Sequence, residues 1–214
     1  MTSLTGKKLL VAPLDWGLGH ATRCVPVIRD LLNNNCEVWL AGEGAQENLL
    51  REEFPSLPFL TLKGYRIKYG KSGLTSKILL QIPSILRSIK AENKWLKEQV
   101  SKHGFEGVIS DNRYGLYHEK IFSVFITHQL FIKSSLGNWS EGFLQKWNYK
   151  LIRKFNECWV PDEEGEKNLA GELSHPVKLP GIPVKYIGAL SRFVRQSADS
   201  FGEKKNIEEI KDHL

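Results

Sequence analysis

The sequence lacks the features that would mark a membrane-spanning, secreted or nucleic-acid-binding protein. No window approaches the roughly 18 consecutive apolar residues that a transmembrane helix needs. Residues 1–8 lack the basic-then-apolar order of a signal peptide, because Lys7 and Lys8 lead straight into a short apolar run. No run of basic residues is longer than a pair, so no nucleic-acid-binding stripe is predicted. We therefore expect a cytoplasmic protein without a nucleic-acid partner.

Cysteine is also scarce. Cys24, Cys36 and Cys158 are odd in number and far apart, and they form neither the CxxC spacing of a metal site nor a disulfide framework. Their apolar surroundings indicate reduced, buried thiols. We expect neither a bound metal ion nor a cofactor.

The composition that is present suits one globular α/β unit. The 214 residues are 41% hydrophobic and 25% charged, with a formal net charge of +6. Short apolar runs alternate with helical patterns, which predicts a Rossmann-like parallel sheet flanked by helices. The predicted strands are residues 8–13, 37–41, 59–62, 107–110, 123–127 and 158–161. The predicted helices are residues 21–32, a short segment ending near 51, 75–102 and 139–155.

The most distinctive local pattern is Asp15-Trp16-Gly17-Leu18-Gly19-His20, between the first strand and the first helix. Three interpretations are open. It can be a partial dinucleotide-binding fingerprint, although Thr22 stands where a third glycine belongs. It can be a tight turn whose histidine caps the helix. It can also place a catalytic histidine at the carboxyl edge of the sheet, where open α/β sheets bind their ligands. We favour the last interpretation.

Two further polar segments follow predicted strands and should lie on the same edge. Asp111 comes directly after the strand 107–110, where it can orient the imidazole of His20 or cap a following helix. The segment 127–129, Thr-His-Gln, follows the strand that begins at Ser123. Three such segments on one edge indicate a site.

These motifs together resemble glycosyltransferases of the GT-B fold. The strand, G-x-G-H and proline-containing helix resemble the first glycine loop of MurG-type transferases and of the UDP-glucuronosyltransferase-like superfamily. The set G-L-G-H-A-T-R, S-D-N-R-Y-G and T-H-Q-L resembles a group of bacterial family-28-like transferases more closely. The resemblance runs from Lys8 to about Phe193. It implies the N-terminal, acceptor-side lobe of a two-lobed enzyme.

The resemblance also implies a reaction and its residues. The expected reaction is a metal-independent, inverting transfer from a UDP-sugar, with UDP-GlcNAc as one option, to a cell-envelope glycan or lipid-linked acceptor. His20 matches the general base, and Asp111 matches the carboxylate that orients it. The other motif residues are expected to bind substrate: Gly17, Gly19, Arg23, Asn112, Arg113, His128 and Gln129. The last two match only loosely, because Leu130 stands where the MurG-type acceptor segment has asparagine.

The resemblance further implies a division of the chain. Residues 1–190 are expected to form the acceptor-side lobe. Residues 191–214 are expected to be a hinge and the start of a donor-binding lobe that the chain does not contain. By itself the chain would then be inactive.

Other functions remain open. Arg23 also fits the G-x-G-H-x-x-R loop of nucleotide-sugar hydrolases with this fold. A non-catalytic module that binds a glycan or a partner enzyme, and a dehydrogenase, are further alternatives. The helix 139–155 mixes aromatic residues with lysines, which suits either a peripheral membrane contact or an ordinary helix packed on the sheet.

Overall fold

The computed structural model describes residues 5–65, 74–133, 138–165 and 168–192. Within these ranges seven strands form one sheet: β1 (Lys8–Pro13), β2 (Glu37–Gly42), β3 (Phe59–Thr61), β4 (Gly107–Asp111), β5 (Phe122–Ile126), β6 (Glu157–Val160) and β7 (Val184–Tyr186). Four α-helices accompany it: α1 (Leu18–Asn33), α2 (Ala45–Glu53), α3 (Leu74–His103) and α4 (Asn138–Ile152). None of the helices in this part of the chain combines the length and the apolar content needed to cross a membrane.

The strands pair in the order β3-β2-β1-β4-β5-β6-β7, and every pair is parallel. Parallel neighbours need crossover connections. Helices α1 to α4 lie in four of these connections, whereas the described residues between β4 and β5 and between β6 and β7 contain no α-helix. The strand order reverses between β1 and β4, which is the point where open α/β sheets form a crevice. This confirms the predicted Rossmann-like α/β fold.

Alternate residues of each strand pack on opposite faces of the sheet, as a period of two requires. Leu9 and Val11 of β1 point into a core shared with α1 and α2. Leu10 and Ala12 point to the other face, where Leu96 of α3 packs. On that second face α4 packs over β5 and β6 in a separate cluster that includes Phe125. The near-continuous apolar strands of the sequence are therefore explained by burial on both faces.

Helix α1 begins at Leu18, three residues earlier than the apolar pattern predicts. Gly19 and His20 consequently lie in its first turn. Pro26 lies in the helix interior, where it has no N–H to donate to the carbonyl group of Thr22. The buried face of α1 compensates, because its apolar residues pack into the first core.

Three further features differ from the sequence expectation. The sequence does not predict the short strand β7, because three residues are too few to show a pattern and its pairing with β6 defines it. Helix α4 ends at Ile152, three residues early. Helix α3 continues through Pro83, which the sequence suggests as a kink or break. Of the predicted hinge and second lobe, residues 193–214 lie outside the described residues, so that division remains an expectation.

Candidate active site

Polar segments that follow several strands meet at one edge of the sheet. Because the strands are parallel, the loops after β1, β4, β5 and β6 leave from the same side. The register sets Pro13 beside Asp111, and Asp111 beside Ile126. The glycine turn, Asp111 and the segment 127–129 therefore lie next to one another, as the sequence predicts.

The glycine turn leaves open space in front of α1. Gly17 precedes the helix with φ of 76°, a conformation that favours glycine. Its carbonyl oxygen accepts a hydrogen bond from Gln46 Nε2 at 3.1 Å, which holds the turn against α2. A Cβ atom at Gly17 or Gly19 would have no atom within 4 Å. Packing does not explain glycine at position 19, so the space there is available to a ligand.

His20, Arg23 and Asp111 form a charged cluster behind this turn. His20 Nδ1 lies 3.1 Å from each carboxylate oxygen of Asp111. Arg23 Nε donates to Asp111 Oδ2 at 2.7 Å, and Arg23 Nη2 donates to Oδ1. Asp111 is fully buried, whereas the side chains of His20 and Arg23 remain 15% and 12% exposed. Arg23 thus holds the buried Asp111 carboxylate in place, and the imidazole of His20 is partly exposed to solvent.

The hydrogen-bonding roles at His20 Nδ1 conflict. Arg23 Nη2 lies 2.6 Å from this nitrogen, and a guanidinium N–H can only donate. The Asp111 carboxylate can only accept. A neutral imidazole has either a proton or a lone pair at Nδ1, so it serves one neighbour at a time. The contact to Asp111 requires the proton at Nδ1 and leaves Nε2 with a lone pair.

His128 joins the cluster through Arg23. Arg23 Nη1 lies 2.8 Å from His128 Nδ1 and can only donate to it. Burial lowers the pKa of His128, and the positive charge of Arg23 lowers it further. Burial would also lower the pKa of Arg23, but Asp111 outweighs it and that pKa is raised. The cluster therefore holds a charged guanidinium and a neutral His128 whose proton is on Nε2.

Cys24 supports Asp111 from inside the fold. Its Sγ atom lies 3.8 Å from Asp111 Oδ2, and the residue is fully buried. Burial raises the pKa of the Cys24 thiol well above its usual value, and the nearby Asp111 charge adds to this effect. The thiol is therefore protonated and acts as a weak donor to the carboxylate.

Arg113, which the sequence predicts to bind substrate, is a buried residue. Its side chain is fully buried, and its guanidinium donates to the carbonyl oxygens of Pro13 and Lys63 and to Glu92 at 2.7 Å. It connects β1 to α3. These contacts hold Arg113 inside the described fold, and substrate binding by this residue stays a prediction.

Asn112 and Gln129 lie beside the cluster. Asn112 has φ of 57°, a left-handed conformation that asparagine tolerates well, and its backbone N–H donates to Ile126 at 3.1 Å. It shapes the turn after Asp111. The side chain of Gln129 is exposed, while its backbone bonds to Thr127 and Asn148. Substrate binding by either residue stays a prediction.

Asp162 is not among the site residues that the sequence predicts, although it follows β6 at the same edge. The signal was available, since a polar residue directly after a buried strand is the pattern that also identifies Asp111. Asp162 is 1% exposed and accepts hydrogen bonds from its neighbours' backbones and from Ser174 Oγ at 2.6 Å. Burial would raise its pKa, but these hydrogen bonds lower the pKa to about 2.

An open cleft of about 350 Å³ is lined by two members of the cluster, Arg23 and His128. Its lining combines polar and apolar residues: Gly19, Thr22, Arg23, His128, Pro161, Asp162, Leu169, Ala170, Ala189 and Leu190. The volume is within the range of small-molecule sites. Within the described ranges no group of three or more His, Cys, Asp or Glu side chains is arranged to hold a metal ion.

Solved structures that match this architecture include glycosyltransferases and a protein named as an epimerase. The glycotransferase of kitacinnamycin matches with a TM-score of 0.58 and 11% identity, over 92% of this chain and 55% of that one. The chain has the fold of a GT-B lobe. UGT73P12 of Glycyrrhiza uralensis, solved with glycyrrhetinic acid 3-O-monoglucuronide, matches at 0.56 and 13% identity, over 91% of this chain and 51% of that one.

The matching structures include a protein of another reaction type, and this chain covers only part of each of them. A Listeria monocytogenes protein named as a UDP-N-acetylglucosamine 2-epimerase matches at 0.51 and 13% identity, over 82% of this chain and 43% of that one. The chain thus spans about half the length of these structures, which is consistent with one GT-B lobe. No protein-family model matches the sequence, and no curated protein matches it either.

Proposed function

We propose that this chain is the acceptor-side lobe of an inverting, metal-independent glycosyltransferase. It would use a UDP-sugar donor and a glycan or lipid-linked acceptor of the cell envelope. The observation that carries the proposal is the contact of His20 with the buried Asp111 at the ligand-binding edge of the sheet. A carboxylate that accepts the Nδ1 proton orients the ring and leaves Nε2 able to take a proton.

The proposed reaction uses this arrangement. The acceptor hydroxyl gives its proton to His20 Nε2 while its oxygen forms a bond to the anomeric carbon of the donor. The bond from that carbon to the UDP oxygen breaks, and UDP leaves with the electron pair. Because the attack occurs once and in line, the anomeric configuration inverts.

Arg23 has two effects on such a base. Its paired hydrogen bonds keep the Asp111 carboxylate charged and in place. Its Nη2 atom also lies 2.6 Å from His20 Nδ1 and can only donate to it. This contact favours the tautomer that has its proton on Nε2, which cannot accept a proton there. In the proposed mechanism, Arg23 Nη2 must release His20 Nδ1 while the guanidinium keeps its hydrogen bonds to Asp111.

A peripheral contact with the inner face of the cytoplasmic membrane accompanies the proposal. Trp139 is 74% exposed and Phe143 is 53% exposed on α4, and Lys146 and Lys150 are exposed on the same helix. Aromatic residues next to lysines suit an anionic membrane surface. A lipid-linked acceptor would be presented at such a surface.

The test measures UDP release by the full product of the gene that contains this chain. A panel of UDP-sugars is supplied with and without cell-envelope glycan extract. We expect acceptor-dependent release that His20→Ala lowers by about 10²- to 10⁴-fold, the usual contribution of a general base. His118→Ala is the matched control, because this histidine precedes β5 at the opposite edge of the sheet.

The other results are equally informative. Release that needs no acceptor would indicate the nucleotide-sugar hydrolase instead. Release that His20→Ala and His118→Ala lower equally would remove His20 from the catalytic role. A complete lack of release with a folded protein would favour the non-catalytic binding module.

A further inference from the structure

Two chemically different groups of residues line the cleft. The polar group includes Arg23, whose charge is compensated by Asp111, and His128. The other group, referred to as the apolar wall, contains five small or apolar residues: Pro161, Leu169, Ala170, Ala189 and Leu190. A ligand that contacts both groups has a polar, hydroxyl-bearing end and an apolar part.

Asp162 builds part of the apolar wall. Its Oδ1 accepts a hydrogen bond from the backbone of Leu169 at 2.7 Å, and its Oδ2 accepts one from the backbone of Ala170 at 3.1 Å. Ser174 Oγ donates to the same Oδ2 at 2.6 Å. One buried carboxylate thus fixes both ends of the segment 169–174. Since Asp162 is only 1% exposed, its contacts go to the wall and not to solvent.

The same segment is tied to the chain that follows β7. Tyr186 donates from its hydroxyl group to the carbonyl oxygen of Ser174 at 3.0 Å, and its ring stacks on His175 with centroids 4.6 Å apart. The backbone N–H of Gly188 donates to the carbonyl oxygen of Asp162 at 3.1 Å. The parts of the wall that carry Leu169 and Ala189 are therefore held together.

Leu169 is unusual in this fixed setting because its side chain is 78% exposed. A single exposed leucine is ordinary on a protein surface. Here, however, its backbone is anchored by Asp162 and it lines the cleft with Ala170 and Leu190. The anchoring holds an apolar side chain beside the polar cluster, where a bound molecule would cover it.

We propose that Leu169 determines specificity by contacting the apolar part of the ligand, and that Asp162 is the positioning residue that holds it there. The ligand class is an amphiphile that places a hydroxyl group against Arg23 and His128 and an alkyl or other apolar group on the wall. This inference rests on the proposed function, in which the cleft binds an acceptor.

The experiment measures binding of n-alkyl β-D-glucosides to the isotope-labelled chain by NMR titration. Methyl, butyl and hexyl glucosides carry the same polar end, and each is used below its micelle-forming concentration. We expect the dissociation constant to fall by about two- to fourfold per added methylene, the gain from burying a CH₂ group. Leu169→Asp should weaken hexyl glucoside at least about fivefold more than it weakens methyl glucoside.

Val177→Asp is the matched control, because Val177 is fully exposed and lies outside the residues that line the cleft. It should leave the whole series unchanged. Asp162→Asn replaces an acceptor with a donor opposite Ala170 and Ser174, and it should also flatten the chain-length dependence. Glu157→Gln, at the start of β6, controls for the loss of a buried carboxylate.

Two outcomes would overturn the proposal. One is an affinity for glucosides that is undetectable or does not depend on chain length. The other is an equal effect of Leu169→Asp and Val177→Asp on hexyl glucoside. Binding does not require proton transfer, so a failure of His20 as the base would leave this result intact and distinguishable.

Discussion

At the scale of single residues, one motif serves two purposes. In S-D-N-R-Y-G, Asp111 belongs to the charged cluster, while Arg113 and Gly115 hold the loop against α3. Arg113 pairs with Glu92 at 2.7 Å, and the backbone N–H of Gly115 donates to the same carboxylate at 3.1 Å. Burial raises the pKa of Glu92, although Arg113 opposes this effect. One part of a motif that resembles a family's signature can therefore belong to the candidate site while another part stabilises the fold.

Gly115 offers a test of the structural role of this motif. A Cβ atom there would lie 2.5 Å from Glu92 Cβ and would also meet the carbonyl oxygen of Ile89. We expect Gly115→Ala to lower the free energy of unfolding by about 1–3 kcal/mol, the usual cost of overpacking. Gly142→Ala is the matched control, because its Cβ would meet nothing within 4 Å on α4.

The control should raise the free energy of unfolding by about 0.5–1 kcal/mol, since alanine favours helix over glycine. Urea denaturation of the three proteins measures both changes. If Gly115→Ala left the free energy of unfolding unchanged or raised it, the close approach of Gly115 to α3 would not be a packing constraint.

At the scale of elements, α4 has one face in the core and another in solvent. Leu144 and Ile152 are buried, whereas Trp139 and Phe143 are among the most exposed large apolar residues of the described chain. The amphipathic pattern in the sequence predicts the helix and its buried face. It does not say what covers the aromatic residues, because packing and membrane contact need the same composition.

Vesicle sedimentation separates these two explanations. We expect the chain to sediment with phosphatidylglycerol vesicles and less with phosphatidylcholine vesicles, since its net charge is +6. The double variant Trp139→Ser/Phe143→Ser should lower the bound fraction at least about fivefold, because two large apolar side chains leave the interface.

Val177→Ser/Leu179→Ser removes two other exposed apolar side chains and should bind like the wild type. Equal binding by both double variants and the wild type would mean that α4 makes no membrane contact. The proposed peripheral location would then lose its support.

At the scale of the whole molecule, the sequence predicts the elements whose apolar residues repeat with the period of a strand or a helix. It does not predict features that depend on contacts between residues far apart in the chain. Six strands, four helices and the meeting of His20 with Asp111 follow from apolar runs and from polar residues at strand ends. The sequence does not predict the burial of Arg113, because an arginine becomes a core residue only when Glu92 and two carbonyl groups converge on it. Strand β7 is missed for a similar reason.

Asp162 links the local geometry to the stability of the whole chain. Its hydrogen bonds lower its pKa to about 2, whereas an aspartate in an unfolded chain titrates near 3.9. A depressed pKa adds stability above the unfolded value, and this stability is lost as the pH falls through the folded value. The contribution should therefore be complete above about pH 5 and should disappear between about pH 4 and pH 2.

Urea denaturation of the wild type and of Asp162→Asn at steps of pH measures this contribution. We expect the variant to be less stable at neutral pH, and the difference between the two proteins to shrink as the pH falls from about 4 toward 2. Ser174→Ala removes one of the four donors and should show a smaller version of the same effect. A difference that stays constant over this range would mean that the Asp162 carboxylate is not held as a charged group, and the wall of the cleft would then need another anchor.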